Sequence, residues 1–311
     1  NNWIMNKEIR IATIVTCFNR CDKTIKSLQS LINAMKAYNN NRTDSKLQIN
    51  LFLTDDGCTD NTITEVQKQI APVIPTTIIK GNGNLYWAGG MRAAWSKAIE
   101  RPSDYYLLLN DDTFMFENAF QELFRGQDYC KMVFGKEGLC SGITCAPNDF
   151  NHITYGGNVW IKKERGLSKR LRAIGEPQHC DLTNANMLFV SNKVVESVGI
   201  FYEGYVHGKA DYDYAIMANM HGFNSVVTAN ICGFCDFDHR TQMDVYRDLC
   251  SMSLKERKAY FENPLHSNSD YIKYIERNVP QRLNQVKLGR WMNLYCPHLY
   301  LLIFKFRMFF K

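Results

Sequence analysis

No run of 18 uninterrupted apolar residues occurs in the chain, so a membrane-spanning helix is not expected. No basic segment leading into an apolar one opens it either, and a secretory signal is not expected. Eight prolines and 19 glycines, spread without period over 311 residues, exclude collagen-like and linker-dominated chains. Eleven cysteines are too sparse for a disulfide scaffold, and their number is odd. They point to a reduced, cytoplasmic protein. Signature motifs are missing too. The absence of G-x-x-x-x-G-K-S/T removes the P-loop nucleoside triphosphatases, and no G-x-G-x-x-G follows the first strand, where TCFNRCD stands instead. Neither G-x-S-x-G nor H-E-x-x-H occurs.

Acid is scarce in one place only. Residues 1–239 carry 24 Lys/Arg against 25 Asp/Glu, whereas residues 240–311 carry 13 against 6. A basic surplus confined to the tail argues against a nucleic-acid groove across the main domain, and no nucleic-acid partner is expected.

Short β-rich runs at 11–17, 47–55, 76–80 and 105–110 alternate with helical patterns through 25–35, 61–70 and 88–99. That alternation predicts an α/β fold with a mostly parallel sheet covered on both faces. After Asp112 the rhythm changes. A helix is predicted over 116–124, a strand over 139–146, and loops or short antiparallel strands over 147–180. A strand over 187–191, a helix capped by Ser191 or Asn192, a helix over 211–222 and a last strand over 224–235 follow. Cys17-x3-Cys21 and Cys232-x2-Cys235 lack the partner pairs of a metal site and read as incidental.

In parallel sheets, ligands bind beyond the carboxyl ends of the strands. Here those ends carry Thr16-Cys17-Phe18-Asn19-Arg20, Asp55-Asp56-Gly57, Gly81-Asn82-Gly83-Asn84 and Asn110-Asp111-Asp112. Asp22 and Asp60 suit helix caps. Capping does not explain Asp55–Asp56 together with Asp111–Asp112, since four clustered acids repel unless a cation or hydrogen bonds relieve them. Oxygen ligands point to Mg²⁺ or Mn²⁺ rather than zinc.

Over residues 9–240 the chain resembles the family 2 glycosyltransferases, with the GT-A fold, in particular their bacterial rhamnosyltransferase-like branch. The resemblance rests on TCFNR (16–20), TDDGCTD (54–60), GNGNLYWAGGMRAAW (81–95), LLLNDDT (107–113) and the stretch 184–223, in that order. It implies a GT-A domain over 1–240, with a nucleotide-binding half (9–113) and an acceptor half (114–240). A helical extension, 241–311, follows. It implies an inverting transfer from a nucleotide-diphosphate sugar, with dTDP-rhamnose ranked first, to a saccharide or lipid-linked saccharide in polysaccharide biosynthesis. Thr16, Phe18, Asn19, Arg20, Asp55, Asp56, Gly83, Asn84 and Asp111 would hold the donor, Asp55 accepting from the base and Asp56 lying near the nucleoside. Asp112 would bind Mg²⁺ or Mn²⁺, with His239 as a further ligand. Asp211 would be the general base, Asp213 would bond within the fold, and His207 would bind acceptor. Asn110 and Ala210 stand where the family has acids. Those departures keep open an inactive sugar-binding relative. A sugar-1-phosphate nucleotidyltransferase is the other alternative, although FNRCD is a poor triphosphate loop.

The tail, QVKLGRWMNLYCPHLYLLIFKFRMFFK (285–311), has five Lys/Arg, no acid and four phenylalanines. Such a composition suits peripheral contact with an anionic membrane, placing the protein at the inner face of the cell membrane. Packing on the catalytic domain or on a second subunit competes with that reading. Pro297 should interrupt any helix there.

Overall fold

Side chains alternate between two faces along the first strand, and burial is continuous from Ile11 to Val15. Ile11 and Val15 point to one side and Ala12 and Ile14 to the other, all four without solvent exposure. A strand apolar on both faces belongs in the middle of a sheet with two covered faces. The computed structural model, which describes residues 7–237, 240–266 and 268–309, places it there.

The first half runs β1 (Lys7–Cys17), α1 (Cys21–Asn40), β2 (Ser45–Asp55) and α2 (Thr62–Glu65), which a π-helical turn continues to Ile70. β3 (Thr76–Lys80), α3 (Tyr86–Ala98) and β4 (Tyr105–Leu109) complete it. These four strands pair in parallel in the order β4-β1-β2-β3, as the alternating sequence pattern predicts.

The second half is mixed. It holds β5 (Phe114–Met115), α4 (Ala119–Phe134), β6 (Leu139–Ala146), β7 (Asp149–Tyr155), β8 (Gly157–Lys162), β9 (Leu167–Arg170), β10 (Gln178–Cys180) and β11 (Leu182–Thr183). β12 (Met187–Ser191), α5 (Asn192–Val198), α6 (Ala210–Met220) and β13 (Ser225–Phe234) follow. β12 enters antiparallel between β4 and β6, and the main sheet runs β10-β13-β6-β12-β4-β1-β2-β3. β8 and β9, within the region expected to form loops or short antiparallel strands, join β11 in a small antiparallel sheet. The Ser191 hydroxyl caps α5 by accepting from Lys193 N.

The helix expected over 116–124 starts at Ala119 and runs to Phe134. Phe116 N donates to Cys232 O at 2.7 Å, which holds that residue on β13 and delays the start. Gly126, within this helix, is a packing residue. A Cβ there would lie 2.2 Å from Cys140 Sγ, so glycine lets α4 approach the sheet.

One face of the sheet is covered by α1 and α4 through Leu28, Leu31, Phe120 and Leu123. The other is covered by α3 and α6 through Met91, Ala94, Trp95 and Tyr214. The extension forms α7 (Gln242–Ser251), α8 (Leu254–Glu262), α9 (Asn268–Asn278), α10 (Leu283–Tyr295) and α11 (Pro297–Phe309). Tyr274 and Ile275 of α9, with Val279 just beyond it, are buried in the same core as α3 and α6. α11, opened by Pro297, packs on α7 through Tyr246, whose ring lies 5.0 Å from Tyr300 and 4.9 Å from Phe304. No helix among the described residues is long and apolar enough to cross a membrane.

The packing of α3 on β1 depends on Gly90. An added Cβ would meet Thr16 Oγ1 at 2.1 Å and Thr16 Cβ at 2.8 Å, while Gly90 O accepts from Thr54 Oγ1 at 2.7 Å. Gly90→Ala should therefore destabilise the fold by about 1–3 kcal/mol through overpacking. Urea denaturation measures the loss, and an unchanged midpoint would show that the interface yields freely.

Candidate functional site at the carboxyl edge of the sheet

The loop after β1 joins the ends of the two neighbouring strands. Asn19, with φ +49°, accepts at Oδ1 from Thr59 N (2.7 Å) and Asp60 N (3.2 Å). Asparagine is among the few side chains that adopt this left-handed backbone readily. Asp60 accepts from Thr62 N and Cys21 N, so one carboxylate serves the starts of both α2 and α1. Asp22, the other expected cap, lies in the first turn of α1 without a capping bond. Phe18 is 54% exposed beside this loop. Thr16 points the other way, against Gly90.

Arg20 faces the end of β4. Its Nη1 lies 2.8 Å from Asp112 Oδ2 and 3.3 Å from Asp111 Oδ1, and Thr24 Oγ1 donates to Asp111 Oδ2. Burial pushes the Asp111 carboxyl up to about 6. Arg20 opposes that shift, and the Asp112 charge adds to it.

The second pair of acids is occupied differently. Asp55 Oδ1 accepts from Cys58 N at 2.8 Å, closing a turn. Asp56, expected close to a nucleoside, accepts from Gly83 N at Oδ1 and from Leu85 N and Tyr86 N at Oδ2, all at 2.9–3.0 Å. It anchors the 81–86 loop and supplies the cap at the start of α3. Glycines make that closeness possible. A Cβ on Gly81 would sit 2.5 Å from Asp56 Oδ1, and Gly57 (φ +86°) meets Gly83 (φ +83°) backbone to backbone. Asn84 is exposed at the tip of this loop. The repulsion expected among four acids is thus relieved largely by Arg20 and by backbone N–H groups.

Asn110, where the resemblance expects an acid, accepts from Trp87 Nε1 at 2.8 Å. Trp87 also packs on Phe201, so it is both wall and clasp. Asn110 N donates to Asn186 O, and the neighbouring Ala185 N donates to Asp211 Oδ2 at 3.2 Å. The segment 184–186 therefore touches both the Asp111–Asp112 end of β4 and Asp211. Asp211 stands in the first turn of α6, its Oδ1 accepting from Tyr212 N at 2.9 Å. Burial raises its carboxyl, and the charge of Lys209 together with those N–H groups pulls it down. Ala210 is 1% exposed within the apolar core, which explains why no acid stands there. Asp213 turns inward as expected, to Arg277 Nε and Nη2 (3.1 and 3.2 Å) and Asn278 Nδ2 (2.6 Å).

His207 lies beside Tyr86, with ring centroids 6.3 Å apart, and Val206 O accepts from Ala88 N and Gly89 N. The 206–208 loop thus abuts the start of α3. It is held from behind by Asp270 of α9, which is 1% exposed. Asp270 Oδ1 accepts from Val206 N (3.1 Å), and Oδ2 accepts from His207 N (2.7 Å) and Gly208 N (2.9 Å). Sequence reasoning missed Asp270, because an acid in the first turn of a helix reads as a cap. It missed Cys58 as well, whose Sγ comes to 3.8 Å from Cys17 Sγ; all eleven cysteines are free.

Among the described residues no three His, Cys, Asp or Glu side chains gather as a metal site, and His239 lies outside those residues. A hard divalent ion nevertheless needs only one or two carboxylates when substrate phosphates complete its shell. Asp111 and Asp112 fit that chemistry, with Arg20 sharing their oxygens. Cys235 Sγ, 3.8 Å from Asp112 Oδ1, is pushed up to about 12 by burial and is a poor competitor for a hard ion.

Replacing Asp270 by asparagine keeps the shape but turns an amide N–H₂ toward backbone donors. Asp270→Asn should cost about 1–3 kcal/mol. It should also speed hydrogen exchange at 206–208 and leave the Asp56-held amides of 83–86 unchanged. Equal acceleration at both loops would show general loosening instead.

Residues 13–136 match the family described as Glycosyl transferase family 2. No match is found among curated protein sequences. Among solved structures, S. aureus TarS 1–349 is similar over 92% of this chain and 79% of its own, at 10% identity and TM-score 0.52. Its complex with UDP-GlcNAc gives 0.54 over the same shares at 10% identity. The mannosyltransferase PcManGT from Pyrobaculum calidifontis, solved with GDP-Man and Mn²⁺, is similar over 99% of this chain and 82% of its own, at 12% identity and TM-score 0.52. None of these singles out the rhamnosyltransferase-like branch. The fold is that of the GT-A glycosyltransferases, and the match to Glycosyl transferase family 2 runs from β1 through α4.

Proposed function

We propose that the chain is an inverting glycosyltransferase that moves a sugar from a nucleotide-diphosphate sugar to a saccharide or lipid-linked saccharide acceptor. The observation that carries this reading is the segment 184–186. It links Asp211, the carboxylate read here as the base, to the Asp111–Asp112 end of β4. The neighbours solved with UDP-GlcNAc and with GDP-Man and Mn²⁺ support the donor class and the metal.

On this reading the donor lies across the ends of β1, β2 and β4. Phe18 offers an exposed ring to the base, and Asp55 offers a carboxylate beside it. Gly83 and Asn84, positioned by Asp56, approach the donor from the 81–86 loop. Asp112, with Asp111, would hold Mg²⁺ or Mn²⁺, which when bound neutralises charge on the departing diphosphate. Arg20 already sits against both carboxylates and is placed to follow a phosphate oxygen. His207, fixed by Asp270 behind and Tyr86 beside it, faces the acceptor. Asp211 takes the proton of the attacking hydroxyl. Its raised carboxyl pKa makes it a stronger base than an exposed aspartate. Of possible donors dTDP-rhamnose ranks first, on the resemblance of the 81–95 block alone.

Thermal stabilisation by dTDP, UDP and GDP, each with Mn²⁺, tests the donor side. One nucleotide should raise the melting temperature, chelation should remove the shift, and Asp112→Ala should abolish it while the unliganded melt stays the same. A preference for UDP or GDP would remove rhamnose from first place. No stabilisation by any nucleotide would overturn the reading.

Asp211→Asn separates base from cap: the amide keeps the size and one acceptor oxygen for Tyr212 N or Ala185 N, and a thermal melt verifies that losing the other bond leaves the fold intact. Donor binding should persist while transfer falls by about 100-fold or more. Near-normal turnover with saturating donor would move the base elsewhere.

A further inference from the structure

We propose that α10 and α11 form a docking face for an anionic lipid surface. On α10, Leu288, Trp291 and Tyr295 are 57%, 54% and 48% exposed. On α11, Leu299, Leu302 and Phe306 are 51%, 64% and 66% exposed. Both sets follow the spacing i, i+3, i+7, which at 3.6 residues per turn keeps each within about 60° of the helix circumference. The opposite sides are spoken for. Gly289 meets the Tyr300 ring where the two helices touch, and Tyr300 and Phe304 pack on Tyr246 of α7. Each helix therefore has one inward face committed to the protein and one outward apolar stripe. Single exposed apolar residues are ordinary, whereas aligned stripes on two adjoining helices are not.

Charge selects the occupant. No Asp or Glu occurs after Glu276, and Lys287, Lys305 and Arg307 flank the stripes, all three exposed. A second copy seated on this face would set that cationic border against its own equivalent, which like-charge repulsion disfavours. An acidic headgroup layer neutralises the border while the rings and leucines enter the acyl boundary. Trp291 and Tyr295, whose rings contact each other at 5.5 Å, suit the interfacial depth. Adsorption also has a route to the site. α10 packs on α9, and Asp270 of α9 holds the 206–208 loop. If the proposed function holds, the acceptor side would lie near the lipid, but the adsorption itself does not depend on that function.

The test is co-sedimentation of the full chain, without donor or acceptor, with vesicles of phosphatidylglycerol and phosphatidylcholine in equal parts. Vesicles of phosphatidylcholine alone serve as reference. The chain should partition to the anionic vesicles, and added salt should weaken the binding. Leu299→Glu with Leu302→Glu should lower the partition coefficient by about tenfold or more. Lys287→Gln with Lys305→Gln and Arg307→Gln should remove the preference for anionic over neutral vesicles. Both sets lie on exposed positions, and an unchanged thermal melt verifies the fold. Absence of binding by the wild-type chain, or equal binding by all variants, overturns the proposal. So does a dimer in light scattering that Leu302→Glu dissociates while the wild-type chain ignores vesicles. Because partition is read without catalysis, its failure is distinct from a failure of the glycosyltransferase reading.

Discussion

Backbone N–H groups left without partners where strands run out into loops are the constraint on which this molecule's site depends, and carboxylates meet it. Asp56 collects the amides of Gly83, Leu85 and Tyr86, Asp60 those of Cys21 and Thr62, and Asp270 those of Val206, His207 and Gly208. Hydrogen bonds to a charged group contribute about 1.5–3 kcal/mol each, more than a neutral pair. Three converging on one buried carboxylate fix a loop more firmly than its own side chains could. The loops that border the site are thereby positioned from behind.

That division of labour decides which acids remain. With Asp56 and Asp60 committed to loops, the Asp111–Asp112 pair at the end of β4 is left as a like-charged couple beside a buried strand. Burial raises the Asp111 carboxyl to about 6 although Arg20 lies 3.3 Å away, and the Asp112 charge adds to the shift. Two carboxylates side by side, sharing one guanidinium, attract a further cation through their combined charge.

The parallel half of the fold was legible because its signals are local. Continuous apolar runs at 11–17 and 105–110 mark strands buried on both faces, and β3, β6 and β12 begin and end where their composition changes. The length of α4 was not legible, since its second half depends on Gly126 fitting against Cys140, fourteen residues on. Among site residues, the arrangement of Asp111, Asp112 and Arg20 at strand ends follows from the rule that such ends converge. The work of Asp56 does not, because a carboxylate bound to backbone N–H groups leaves no pattern in the partner's side chains. Asn110 and Ala210 looked like losses against the family's acids. One clasps an indole and the other is packed in the core, which are facts of tertiary structure alone.

The same reasoning explains why the family match ends at residue 136 while the functional surface does not. The matched stretch supplies the edges of β1, β2 and β4, which on the proposed reading face a diphosphate and must present much the same groups whatever sugar is carried. On the same reading the acceptor side is assembled from pieces far apart in the chain. The 206–208 loop is shaped by Asp270, and the start of α6 is tied down by Arg277 and Asn278 through Asp213. All three holding residues belong to α9, in the helical extension. A carboxylate buried on one segment and amides buried on another cannot be separated without leaving both unsatisfied in a low-dielectric interior. The extension is thus part of the site's architecture. The faces of α10 and α11 that point away from that join are among those left free to vary toward a particular surface.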